Sequence, residues 1–143
     1  MRSVKLISLS FLTALLVVSF ALNWLWEMAQ MPAYVETATR SWRETALQCA
    51  AFSVGDAVLT WIIYAVAVTA TRRMRSLTEL KFYLLLSALG VMAAVFIELM
   101  ANTMGYWAYS ERMPTVLGVG LLPILQLATL VPVSVWIALR CKE

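Results

Sequence analysis

Four long apolar stretches, at about residues 5–30, 45–70, 82–104 and 116–139, limit what this chain can fold into more than any other feature. Each exceeds the roughly 20 residues that cross about 30 Å of hydrocarbon at 1.5 Å per residue. A segment of that length in lipid must pair its own backbone polar groups, and only a helix does so without neighbouring strands. Composition agrees. Hydrophobic residues make up 62% and charged residues 13%, against about 45–50% and about 25% in soluble domains. The expected fold class is all-α: an integral membrane four-helix bundle, with residues 1–143 forming a single transmembrane domain.

The joints between the stretches carry helix-stop signals. Pro32 follows the first, and the polar residues 36–44 lead into the second. Arg72, Arg73 and Arg75 close the second. Gly105 and the polar turn Ser110-Glu111-Arg112 follow the third, and Pro114 precedes the fourth. Eight of the eleven Lys and Arg residues lie at the two termini and in the middle loop; Arg40, Arg43 and Arg112 occupy the other two loops. By the positive-inside rule both termini are cytoplasmic, and the expected location is the bacterial cytoplasmic (inner) membrane. Basic residues placed at helix ends read as topology signals, so no nucleic-acid partner is expected. Arg2, Lys5, the apolar run and Ser19-Phe20-Ala21 also match a cleavable signal peptide. The run continues past Ala21 into a polar stripe, which favours a retained first helix.

The informative residues are polar ones inside these stretches. Side chains three, four or seven residues apart share a helix face. On that spacing Asn23, Glu27 and Gln30 form one stripe, and Gln48, Ser53, Asp56 and Thr60 another, continuing towards Tyr64. The third stretch offers Ser87, Glu98 and Asn102, and the fourth Gln126 and Thr129. Four stripes predict four helices turned towards a shared polar interior. Most of these residues fall in the half of the membrane nearer the 31–44 and 105–115 loops, which predicts a cavity open outward and closed inward. A carboxylate at the bilayer centre costs about 2.5–3.5 kcal/mol on the mildest scale, so Glu27, Asp56 and Glu98 point to proton or cation chemistry. For Glu27, near a helix end, interfacial water is an alternative account.

Aromatic residues crowd the same side: Trp24, Trp26, Tyr34, Trp42, Tyr106, Trp107 and Tyr109. An aromatic belt at the headgroups explains most of them. Trp24, Trp107 and Tyr109, close to the acids, also suit a cation beside aromatic faces. Met28, Met31, Met100, Met104 and Met113 share that side. With no His in the chain and no Cys beside them, they make no strong Cu(I) site, and neither metal nor cofactor is expected. Cys49 and Cys141 are expected at opposite ends of the bundle, too far apart to bridge.

Glu27 and Glu98 are 71 positions apart and Asp56 and Gln126 are 70 apart, with loosely matching surroundings. That suggests a 2+2 parallel internal repeat, whose interface is where a substrate site would form.

The stretch from Asn23 to Tyr34, Asn-Trp-Leu-Trp-Glu-Met-Ala-Gln-Met-Pro-Ala-Tyr, resembles a signature of small four-span bacterial inner-membrane proteins. Gly55-Asp56-Ala57, Tyr106-Trp107-Ala108-Tyr109 and Met113-Pro114 belong to the same pattern. The resemblance implies the location and the helix count but no activity. A shorter likeness, from Glu98 to Pro123, is to carotenoid-modifying membrane proteins and hints at isoprenoid chemistry. Three functions therefore stay open. The first is binding or transport of a small amphiphilic or cationic molecule, with Asp56, Glu98, Glu27, Asn23, Asn102, Gln126, Trp24, Trp107 and Tyr109 as site residues. The second is an enzyme using a carboxyl as general acid on an isoprenoid or lipid. The third is an accessory subunit whose polar stripes only join helices. Membrane lipids, such an amphiphile and a second copy in a homodimer are the expected partners.

Overall fold

The computed structural model describes residues 8–72 and 78–141. Four long helices account for most of them: α1 (Leu9–Gln30), α2 (Trp42–Thr71), α3 (Glu79–Met104) and α4 (Leu121–Arg140). All four are long and apolar enough to cross a membrane, as in a multi-pass membrane protein. Arg2, Lys5, Arg73, Arg75 and Lys142, which carry much of the orientation argument, lie outside the described residues.

The helix ends follow local chemistry more closely than the hydropathy limits do. α1 begins at Leu9, where the Ser8 hydroxyl accepts from the Phe11 amide. α2 starts at Trp42, three residues before the apolar stretch, because Ser41 and Glu44 form a reciprocal capping box. α3 starts at Glu79 behind a Thr78 cap and ends at Gly105, whose φ of 67° places it in the left-handed region that closes many helices. The expectation that the fourth helix starts near residue 116 needs correcting. Thr115–Val116 (β1) and Val119–Gly120 (β2) form a short antiparallel hairpin, and α4 begins at Leu121. Leu117 and Gly118 make its turn with φ of 52° and 79°, the positive values a two-residue hairpin loop demands.

Between α1 and α2 the chain runs through two 3₁₀ turns, Met31–Ala33 and Val35–Thr39, the first opened by Pro32. This loop is tied to the loop after α3. The Val35 amide donates to the Ala108 carbonyl at 3.0 Å, the Ser110 amide to Ala33 at 2.9 Å, and the Ala108 amide to the Glu36 carboxylate at 2.8 Å. A Tyr34–Tyr109 β-bridge lies among them. The two loops thus form one cap over one end of the bundle, here called the loop end.

Each helix buries one narrow face. On α1 it runs Phe11, Leu15, Ser19, Asn23, Glu27 and Gln30, turning from apolar to polar towards the loop end. On α3 it runs Leu86, Gly90, Ala94 and Glu98 with the same gradient. The far end is a dry core in which Phe11, Leu15, Tyr64, Val131 and Val135 pack together. Outward faces are apolar as well, with Val17, Leu25, Met92 and Phe96 more than half exposed, as suits lipid.

α1 packs on α2 and α4, and α3 on α4, whereas α2 and α3 meet more sparsely. Gly90 sets the α3–α4 approach: a Cβ there would lie 2.4 Å from the Leu127 carbonyl oxygen. Small residues permit such backbone contact between membrane helices. Pro132 sits inside α4, a position membrane helices tolerate better than soluble ones.

Candidate polar cavity

The polar residues at the loop end form two hydrogen-bonded groups around one cavity. The first is centred on Gln126 of α4. Its Nε2 donates to Asn23 Oδ1 at 2.9 Å, Glu27 Oε1 at 3.1 Å and Asp56 Oδ2 at 3.0 Å, while Gln30 Nε2 donates to its Oε1 at 3.1 Å. Three helices therefore converge on one side-chain amide.

The direction of these bonds is set by their ends. The Trp26 indole N–H can only donate, and it donates to Gln30 Oε1 at 3.0 Å. That leaves the Gln30 amide nitrogen facing Gln126 Oε1, and so the Gln126 nitrogen facing the acids. At the other end Asn23 Nδ2 donates to the Ser19 carbonyl at 2.8 Å, which can only accept, so Asn23 must present its oxygen to Gln126. Ser19 Oγ also bonds Thr60 Oγ1 at 3.0 Å, tying the chain to α2. Flipping any one amide would set like groups against each other.

The count at Gln126 is unbalanced. A primary amide has two N–H bonds, and three oxygens surround this nitrogen. Glu27 Oε1 and Asp56 Oδ2, both near 3 Å from it, are within about 6 Å of each other. The Gln30 amide also faces Glu27, so Asp56, whose one side-chain donor among the described residues is Gln126, is the acid least supplied.

The second group holds Glu98 of α3. Trp107 Nε1 donates to Glu98 Oε2 at 3.3 Å, and the Tyr109 hydroxyl donates to the same oxygen. Tyr109 Oη in turn accepts from the Gly120 amide at 3.0 Å and from Asn102 Nδ2 at 3.2 Å, so its single proton goes to Glu98. Gly120 lets the ring approach, since a Cβ there would meet Tyr109 ring carbons at 3.1 Å. Burial raises the Tyr109 phenol pKa, and the bond to Glu98 raises it further. The Tyr34 phenol, 6.0 Å from the Tyr109 ring centre, is raised first by burial and then by the charge on Glu98.

Between the two groups lies a cavity of about 440 Å³ lined by Glu27, Asp56 and Glu98 from three different helices. This is within the roughly 300–1,000 Å³ usual for small-molecule sites. Glu27 meets the amides of both Gln126 and Gln30, whereas among the described residues no donor reaches Asp56 Oδ1 or Glu98 Oε1. Among the described residues Arg40 is the single basic one in the lining. It stands on the loop side and donates to Gln48 Oε1. Below the cavity Leu59, Ala94 and Leu127 form the floor above the dry core.

Of the site residues expected from the sequence, Glu27, Asp56, Glu98, Gln126 and Trp107 line this cavity, together with Gln30 and Gln48 of the polar stripes and Tyr34 and Tyr106 of the aromatic cluster. Asn23 and Tyr109 stand behind the wall and orient Gln126 and Glu98. Asn102 is exposed and reaches only Tyr109 and the Gly118 carbonyl. Trp24 stands elsewhere: its indole donates to the Ala46 carbonyl at 3.3 Å, on an apolar groove shared with Phe20 and Trp42. Thr129 is exposed and bonds back to Leu125 of its own helix. Cys49 is buried and Cys141 exposed beyond α4, both as free thiols. Sequence reasoning missed Phe52, Gly55 and Ile97, which line the cavity, and Gly120. Nothing in their type marks them out, because their part depends on how the helices are spaced. Among the described residues no group of three or more His, Cys, Asp or Glu side chains is placed to hold a metal ion. Compared with family models, curated proteins and solved structures, the chain matches none.

Proposed function

We propose that this protein is a multi-pass protein of the bacterial cytoplasmic membrane whose cavity binds a small cationic amphiphile and gives up a proton as it does so. The observation that carries this reading is the donor deficit. Glu27, Asp56 and Glu98 line one cavity from three helices, Asp56 and Glu98 each with an oxygen that no donor reaches among the described residues, and Arg40, the only basic side chain in the described lining, is turned to Gln48 at the mouth beside Glu36. Ionisable groups at membrane depth mark functional sites by default, because burying them costs stability that helix packing does not require. A protonated amine supplies both the charge and the missing N–H bonds, and Trp107 and Tyr34 add aromatic faces.

The loop end faces outward on the count of basic residues. The dry core beneath the cavity favours binding over passage, and transport in the strict sense requires a dimer or a large rearrangement. Mass spectrometry of molecules that co-purify with the detergent-extracted protein, beside Glu98→Gln, tests the reading. A distinct amine-bearing amphiphile retained by the wild type and reduced in the variant is the expected result. Bulk phospholipid alone in both would sink it and leave the polar stripes as helix-joining contacts. A chemically altered isoprenoid or lipid with the wild type alone would replace binding by acid catalysis.

A further inference from the structure

We infer that the ligand is a single-chain alkylamine and that it enters sideways from the bilayer, between α2 and α3, instead of through the capped loop end. This rests on the cavity being a cation site, as proposed above, and adds the ligand's shape and route.

α2 and α3 meet sparsely: away from the loops Tyr64 and Phe82 pack edge-on at 6.2 Å, and near the loops Phe52 packs on Trp107, which lies beyond the end of α3, at 6.1 Å. Towards the loops Phe52 and Gly55 of α2 and Ile97 of α3 line the cavity while also lying on the outer surface, Phe52 41% and Ile97 37% exposed. Residues that face a cavity and the outside at once mark a break in its wall. Gly55 widens it, since a Cβ built there meets nothing within 4 Å. Gly55 and Asp56 both line the cavity, so the break opens on a space that holds a carboxyl. The opposite interface has no such break: α1 lies against α4, joined there by the Gln126 bonds.

The end route suits a cation less well. The two loops are bonded together across it, and its mouth carries Arg40, the one basic side chain in the described lining, with the Glu36 carboxyl there engaged by the Ala108 amide. A lateral route avoids Arg40. Its apolar rim accepts a hydrocarbon tail left in the bilayer while the ammonium reaches Asp56, Glu27 and Glu98.

Binding of dodecylamine and ethylamine is measured in phosphatidylcholine nanodiscs for the wild type, Gly55→Leu and Asp56→Asn. The two amines share a head group, so comparing variants cancels partitioning of the tail into lipid. Gly55→Leu fills the break without a clash and improves helix propensity, so it is expected to fold; Ile97→Trp narrows the opposite rim as a second variant. The expected result is a loss for dodecylamine at least about tenfold greater than for ethylamine in both rim variants, about 1.4 kcal/mol of selective effect. Equal changes for the two amines, or none, with Asp56→Asn still weakening both, would overturn the lateral route alone. If neither amine binds the wild type, or Asp56→Asn alters neither, the reading of the site fails and this inference with it.

Discussion

Replacing Gln126 with methionine keeps the length of the side chain and removes its contacts with Asn23, Glu27, Asp56 and Gln30, of which two donated bonds and one accepted bond are filled at a time. Bonds between membrane helices average about 0.6 kcal/mol and reach about 1.7. Three average bonds amount to about 1.8 kcal/mol. Asn23 and Gln30 are buried, and leaving their polar atoms unpaired adds to that, because an orphaned buried group costs about 1–3 kcal/mol. The carboxyls can turn to water in the cavity and add less. The expected destabilisation is therefore about 2–4 kcal/mol. Reversible unfolding in mixed micelles, titrated with sodium dodecyl sulfate and followed by helical circular dichroism, measures it. Thr129→Val is the control, because its hydroxyl bonds only within α4 and is exposed. Gln30→Leu combined with Gln126→Met should fall short of additivity by about 0.5–1.5 kcal/mol, since the two side chains share a bond. A Gln126→Met protein within about 0.5 kcal/mol of wild type would refute the claim that this amide joins three helices.

Two glycine substitutions should act with opposite sign. Gly90→Ala places a methyl 2.4 Å from the Leu127 carbonyl oxygen and should cost about 1–3 kcal/mol as α3 and α4 are pushed apart. Gly55→Ala meets open space and should be neutral or stabilising by up to about 1 kcal/mol through helix propensity; the same micelle titration separates them. Tyr109→Phe removes the bond that holds Glu98 and the acceptor of the Gly120 amide, and should weaken amine binding roughly tenfold in a calorimetric titration. The Tyr109 pKa is raised in the fold. Above the unfolded tyrosine value of about 10, the unfolded chain therefore loses this proton before the folded chain does. Stability should fall from about pH 10 up to the folded pKa, and Tyr109→Phe should make that alkaline slope shallower without abolishing it, since Tyr34 contributes in the same direction.

The four helices were legible because hydrocarbon thickness imposes a length and a composition on any segment that spans it. Their polar faces were legible through the spacing of Asn23, Glu27 and Gln30 on α1 and of Ser53, Asp56 and Thr60 on α2, whereas on α3 Glu98 is buried and Asn102, four residues on, is exposed. Hydropathy misjudged the start of α4 because Val116, Leu117 and Val119 are apolar yet belong to a hairpin, where turn geometry outranks hydrophobicity. It also overlooked the first turn of α2, although Ser41 and Glu44 spell a capping box. Trp24 illustrates a different limit: neighbouring positions on a helix diverge by about 100°, so proximity in sequence to Asn23 places it against α2 instead of the cavity. The sparse α2–α3 contact had no signal at all, since it depends on which helices lie side by side, and single-helix periodicity is silent on that.

The most direct test of the cavity's role is calorimetric titration of dodecylamine into nanodiscs holding the wild type and a Glu27→Gln/Asp56→Asn double variant, each in two buffers of different ionisation enthalpy. The donor deficit around Gln126 predicts that the wild type binds the amine and releases protons to the buffer, and that the double variant loses both the binding and the buffer dependence. Equal binding by the two proteins, with a heat independent of buffer, would contradict the account: the carboxyls would then serve to hold the helices together and not to receive a cation.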